Sequence, residues 1–145
     1  MRITQISVFL ENRPGRLAHL LQVLADAQVN LRALSLADTA DFGIARLIAS
    51  DPAAAVRAIS QAGLTTATNQ VLCVEIPDTP GALAHMLVDP LSLANVNIEY
   101  AYAYAGAAEQ RATVVMKVDN LDAAERVLFW STSGEQDKHE EWSVP

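Results

Sequence analysis

Basic residues are scarce in this chain. Only two lysines, Lys117 and Lys138, occur, the formal net charge is −7, and no run of basic residues is found anywhere. A phosphate backbone is repelled on average, and Arg13, Arg16, Arg32, Arg46 and Arg57 are scattered over different expected elements, so no nucleic-acid partner is expected. Cys73 is the only cysteine, which excludes an intramolecular disulfide and a thiol-rich metal site. No stretch approaches the roughly 20 apolar residues of a membrane span, and Met1-Arg2-Ile3 leads into a strand pattern instead of a signal peptide. No membrane association is expected, and the cytoplasm is the expected compartment.

A linker rich in Pro, Gly or Ser is also missing, although the sequence divides in two. Arg13-Pro14-Gly15-Arg16-Leu17-Ala18-His19-Leu20-Leu21 returns 66 positions later as Thr79-Pro80-Gly81-Ala82-Leu83-Ala84-His85-Met86-Leu87. Ile6, Val8 and Leu10 sit over Leu72, Val74 and Ile76, and Val29-Asn30-Leu31 sits over Val96-Asn97-Ile98 after one inserted residue. The duplication implies two copies of one small unit, residues 1–69 and 70–145. A unit of roughly 70 residues buries only about 60% of its unfolded surface and is marginal alone, so an intimate pair is expected. A hydrophobic fraction of 51% with 19% charged residues describes a globular chain with a generous apolar core.

Ile3 to Leu10 alternates, with Ile6, Val8 and Leu10 on one face, and the Pro-Gly after it stops the strand and opens a helix. In that helix Leu17, Leu20, Leu21 and Leu24 form an apolar stripe that must lie on a sheet. Asn30 to Ala37 and Phe42 to Ser50 are expected strands, Ala53 to Ala62 a helix ended by Gly63, and Leu64 to Thr68 a fourth strand. The second copy repeats this order with Val71 to Ile76, a helix from Pro80, Asn97 to Tyr104, Arg111 to Val118, a helix from Leu121 to Phe129, and a last strand near His139 to Ser143. Pro90 falls where the first copy carries helix interior, so the second copy's first helix is expected to be short or kinked, with the inserted residue loosening its last turn. The order strand, helix, strand, strand, helix, strand predicts an α+β chain of two tandem ferredoxin-like βαββαβ units, each a four-stranded antiparallel sheet with two helices on one face.

The repeated turn is where chemistry is expected. Proline at the first helical position lacks an amide that would be unpaired anyway, and glycine lets another molecule approach the backbone. Thr79 is a candidate N-cap, Gly81 and Ala82 offer amides to a carboxylate at the positive end of the helix dipole, and Gly15 and Arg16 do the same in the first copy, with Asn12 nearby as donor or cap. The same turn, helix and strand-entry Asn twice in one chain resembles the ACT family of small regulatory domains that bind amino acids. The resemblance rests on Asn12-Arg13-Pro14-Gly15-Arg16-Leu17-Ala18 with Val29-Asn30-Leu31, and on Asp78-Thr79-Pro80-Gly81-Ala82-Leu83-Ala84 with Val96-Asn97-Ile98-Glu99-Tyr100. It covers nearly the whole chain as two tandem copies, which looks like a free-standing tandem ACT protein.

The resemblance implies a ligand, usually a free amino acid, held by the strand-to-helix loop of one unit and the second-strand entrance of its neighbour. The matching residues are Asn12, Arg13, Pro14, Gly15, Arg16, Leu17 and Asn30, and Asp78, Thr79, Pro80, Gly81, Ala82, Leu83 and Asn97. It further implies a non-catalytic protein with no cofactor, acting as a homodimer and signalling to a metabolic enzyme. Two other functions fit the same architecture. One is a ligand-independent interaction module, and the other an acylphosphatase-like hydrolase whose loop, with Arg13, cradles phosphate.

Among the remaining residues, His19 and His85 are repeat-related but lie about 200° round the helix from Leu17 and Leu83, which are expected to face the core, so both are assigned to solvent rather than a metal. Tyr100, Tyr102 and Tyr104 share a strand face and are assigned to packing against the partner module, with a ligand-lining role as the alternative. Cys73 is assigned as an inert small residue, Glu135 to Glu141 as a solvated loop, and Trp142 as a tail anchor.

Overall fold

The computed structural model describes residues 1–38, 41–105 and 109–130, and the chain falls into two compact units, residues 2–70 and Met1 together with the chain from Val71 on. The last strand near His139 to Ser143, the Glu135 to Glu141 segment and Trp142 lie outside the described residues.

In the first unit, β1 (Arg2–Glu11), α1 (Arg16–Asp26), β2 (Leu31–Asp38), β3 (Phe42–Ala49) and α2 (Pro52–Gln61) adopt the expected order. β3 lies between β2 and β1 and is antiparallel to both, while β4 borders β1 on its other side. Alternation on β1 buries Ile6, Val8 and Leu10, and these pack with Ala45 and Leu47 of β3 under Leu20 and Leu24 of α1 and Ala55 and Ile59 of α2. Asp51 caps α2 by accepting the Ala54 amide at 3.0 Å, and Gly63 ends it at φ 79°.

β4 (Thr65–Pro77) corrects one expectation, because the strands expected at Leu64 to Thr68 and Val71 to Ile76 are a single strand whose residues divide between the two units. Asn69 favours a turn by type, but here both side chains bond into the first unit, Asn69 Oδ1 accepting from Gln5 and Gln70 Nε2 donating to Thr4.

In the second unit β6 (Arg111–Val118) lies between β4 and β5 (Ile98–Ala105), again antiparallel to both. Leu72, Ile76, Val114, Met116 and Val118 pack with Leu87 and Leu91 of the first helix and Ala124 of α4 (Leu121–Glu125), whose cap Asn120 accepts the Ala123 amide as Asp51 does in the first copy. A turn of π-helix, Arg126–Trp130, continues α4.

Around Pro90 the helix is neither shortened nor loosened at its end. A π-helical turn, Ala84–Val88, runs directly into α3 (Asp89–Leu93), and the Asp89 amide reaches back to the Ala84 carbonyl. A π turn is one residue wider than an α turn, so the residue inserted in the second copy is absorbed ahead of the proline. The helix then ends like α1: Val96 donates to Leu91 at 2.9 Å past Asn95 at φ 56°, as Val29 donates to Leu24 at 3.0 Å past Gln28 at φ 57°.

A bulge at the start of the second strand recurs in both copies, between Leu31 and Ala33 and between Ile98 and Tyr100. One extra residue reverses the parity of the rest of the strand. Leu31 and Ile98 therefore pack into the cores, while Tyr100, Tyr102 and Tyr104 stand beside Lys117, Val115 and Thr113 on the face away from the helices.

Candidate functional site

The turn after β1 folds as it does because its backbone is pinned at both ends. Asn12 donates its amide to the Asp41 carbonyl at 3.0 Å and Arg13 donates to Glu11 at 2.9 Å, after which Gly15 turns the chain at φ 87°. Only glycine takes that left-handed conformation without cost, so Gly15 is explained by the backbone before any ligand is invoked. The second copy repeats the construction, with Asp78 donating to Gln110 at 2.7 Å and Gly81 at φ 85°.

Two expectations about the helix start change. Pro14 and Pro80 lie in the turn, with Gly15 capping α1 and no side-chain cap on either helix, so Thr79 is not the N-cap. The amides of Arg16 and Ala82 fold back onto the carbonyls of Arg13 at 3.4 Å and Thr79 at 3.2 Å. The first helical bonds run from His19 to Gly15 and from His85 to Gly81, both at 2.9 Å, so the amides turned toward solvent at the positive helix end are those of Leu17 and Ala18, and of Leu83 and Ala84.

The two turns carry different side chains. In the first, Glu11 ends β1 and its carboxylate straddles both arginines, with Oε2 2.7 Å from Arg13 Nε and Oε1 3.6 Å from an Arg16 terminal nitrogen. Beside this cluster opens a cleft of about 70 Å³ lined by Leu10, Asn12, Leu17, Leu36, Asp38 and Gly43 together with the three charged residues. A second cleft, of about 170 Å³, runs along Phe9, Leu64 and Thr65 and shares Leu10, Glu11 and Arg16 with the first. In the second copy Pro77, Thr79 and Ala82 stand where Glu11, Arg13 and Arg16 stand in the first, so residues 77–82 include no cation, and Arg111, opposite Pro77 in the sheet, is paired with Glu75 at 3.4 Å. There the imidazole of His85, held by Asp89 at 3.1 Å, overhangs the glycine, so that a Cβ on Gly81 would lie 3.1 Å from His85 Cδ2; around Gly15 the same space is open. Ala82 is buried and Leu83, expected to face the core, is exposed.

Asn30 and Asn97 lie elsewhere. Asn30 shares two bonds with Ser50, amide to Oγ at 3.1 Å and carbonyl to amide at 2.8 Å, and Asn97 makes the matching pair with Asp119 at 3.0 and 3.1 Å. Because β1 and β2 run in the same direction on either side of β3, Asn30 sits at the end of its sheet away from the Asn12 to Leu17 turn, about 23 Å along an eight-residue strand. Within each unit the turn and the strand entrance are therefore at opposite ends.

The sequence did not nominate Glu11, Leu36, Asp38 or Gly43. Glu11 carried a signal, an acid next to two closely spaced arginines at a strand end. The others are brought to the turn only by strand register, Asp38 opposite Gly43 and Gly43 opposite Leu10.

Among the described residues no group of three His, Cys, Asp or Glu is placed to hold a metal ion, and no helix is long and apolar enough to cross a membrane. Burial pushes the Cys73 thiol above its ordinary value, Glu75 adding to the shift and the nearby N-terminal ammonium opposing it. The neutral thiol is the favoured form. Its contribution to stability is therefore complete below the unfolded pKa of about 9 and is lost as pH rises through the higher folded value. At pH 8 iodoacetamide is expected to alkylate folded Cys73 several-fold more slowly than the urea-unfolded chain; equal rates would show an exposed thiolate.

Comparison with known proteins gives a consistent set of relatives. The family described as ACT domain pair matches residues 1–134. A protein of Bacteroides thetaiotaomicron with a solved crystal structure is 40% identical, with a TM-score of 0.85, 91% of this chain and 90% of that one being covered. The ligand-free regulatory subunit of aspartate kinase from Thermus thermophilus shares the fold at 19% identity and a TM-score of 0.62, covering 88% of this chain and 91% of its own. The corresponding subunit from Thermus flavus does so at 20% and 0.61, covering 91% and 95%. No match is found among curated proteins.

Proposed function

This chain belongs to the ACT domain pair family, and on that premise we propose that it is a non-catalytic regulatory protein that binds a free amino acid and passes its occupancy to a metabolic enzyme. The observation that carries this function is the first turn, where Arg13, Arg16, Glu11 and Asp38 line one small cleft together with the apolar Leu10, Leu17 and Leu36. An α-amino acid has the matching chemistry. Its carboxylate is complementary to Arg13, Arg16 and the first-turn amides, and its ammonium to Asp38. The aspartate kinase neighbours are named as regulatory subunits, which supports the same assignment.

Asn30 and Asn97, at the far sheet ends, serve the site only if the entrance of one unit meets the turn of another. A homodimer is the simplest assembly that provides such meetings, and we include it in the proposal, with Asp78 to Leu83 of the second unit as an assembly contact instead of a ligand seat.

The test is thermal unfolding of the purified protein against the twenty amino acids. A ligand at a hundred times its dissociation constant adds about 2.7 kcal/mol, a readily measured rise. A selective rise with one or two amino acids is expected. A flat panel would favour the ligand-independent interaction module, for which Phe9 and Phe42, 45% and 59% exposed on the sheet face away from the helices, are the candidate contacts.

A further inference from the structure

We propose that Glu11 is a built-in competitor for the ligand's carboxylate, occupying Arg13 and Arg16 in the empty protein and giving them up when an α-amino monocarboxylate enters the first unit's turn. This rests on the amino-acid site proposed above and adds a specificity-determining residue to it. A single carboxylate bridging two guanidinium groups from opposite ends of a tight turn is the arrangement a ligand carboxylate needs, and Glu11 already holds it, at 2.7 and 3.6 Å. The cluster is built for exchange. The side chains of Glu11 and Arg13 are each about half exposed and that of Arg16 about one-third, so the pairs are weak and solvent-screened.

The clefts say what exchange accomplishes. Glu11 and Arg16 line both of them, one of about 70 Å³ and the other of about 170 Å³. With the Glu11 to Arg16 contact broken, the cleft beside Asp38, Leu17 and Leu36 joins the one along Phe9 and Leu64. The joined space has a place for the charged end and an apolar wall for a side chain. Glu11, once released, adds its charge to that of Asp38 on the ammonium side, which also disfavours a second carboxylate on the ligand.

Nothing equivalent exists in the second turn. Pro77, Thr79 and Ala82 replace all three charged residues there, and His85 covers the glycine, so the exchange belongs to the first unit.

The experiment monitors the arginine Nε–Hε NMR signals while propionate is titrated at constant ionic strength into the wild type, Glu11→Gln and Arg16→Gln, with the amino-acid thermal panel run on the same proteins. Removing the competitor should tighten propionate binding about two- to five-fold, the scale of an exposed ion pair, with the Arg13 signal moving, while Arg16→Gln should lose binding. Equal or weaker binding of propionate by Glu11→Gln overturns the competitor role. If propionate tightens but no amino acid stabilises any of the proteins, the exchange stands and the amino-acid assignment fails. If an amino acid stabilises the wild type and Glu11→Gln loses that response, the assignment stands and Glu11 is a ligand contact instead of a competitor.

Discussion

Leu87→Ala is expected to destabilise the second unit by about 2–5 kcal/mol, while Met86→Ala one position earlier costs no more than about 0.5 kcal/mol. The repeat alignment says otherwise, because it places Met86 over buried Leu20 and Leu87 over half-buried Leu21. In the structure Leu87 is 1% exposed and packs with Leu72, Leu91 and Met116, whereas Met86 is 48% exposed. The π turn at Ala84–Val88 makes the difference, advancing the helix by one residue so that Leu87 and Leu91 occupy the core places of Leu20 and Leu24. Urea unfolding of the two variants decides the matter. A large loss from Met86→Ala with little from Leu87→Ala would mean a uniform α-helix in the repeat register.

That helix also marks where the sequence stops being legible. Periodicity was enough for the strands and helices of the first unit, because Ile6, Val8 and Leu10 alternate cleanly and Leu20 and Leu24 recur at helical spacing. Pro90 and the inserted residue were both visible, but each is a local conflict with several resolutions. The π turn is the resolution this chain adopts, and with it Leu91 and Val96 lie in the core after the proline. The merging of two expected strands into β4 was hidden for a related reason, since Asn69 and Gln70 look like a break until their bonds to Gln5 and Thr4 are seen.

The candidate site was legible as a turn and illegible as a cleft. Asn12, Arg13, Gly15 and Arg16 announce themselves by repetition, but Leu36, Asp38 and Gly43 reach the turn through the pairing of β2, β3 and β1, which no spacing along the chain encodes. Repetition also overstated the symmetry. Identical Pro-Gly signals produce the same backbone twice, yet the residues around them give one turn two arginines and open space and the other an aspartate, no cation and a covering imidazole.

Valine at the two turn glycines separates backbone need from ligand need. The two positions have φ of 87° at Gly15 and 85° at Gly81, where a β-branched residue is strained, so Gly15→Val and Gly81→Val should each lose about 1–3 kcal/mol of stability. Beyond that shared cost they should differ. At Gly15 the added side chain meets nothing within 4 Å and stands in the open space in front of the first-turn amides, so the amino-acid response of the thermal panel should vanish. At Gly81 its Cβ lies 3.1 Å and 3.3 Å from His85, so the imidazole must give by a few tenths of an ångström against its bond to Asp89. Because His85 is exposed, that movement is inexpensive, and His85→Ala in the Gly81→Val background should recover the extra loss but not the backbone strain. With the charged cluster confined to the first turn, Gly81→Val should keep the amino-acid response that Gly15→Val abolishes. Loss of the response in both variants at matched stability would place ligand at both turns, and its retention in both would remove the turn from the binding site.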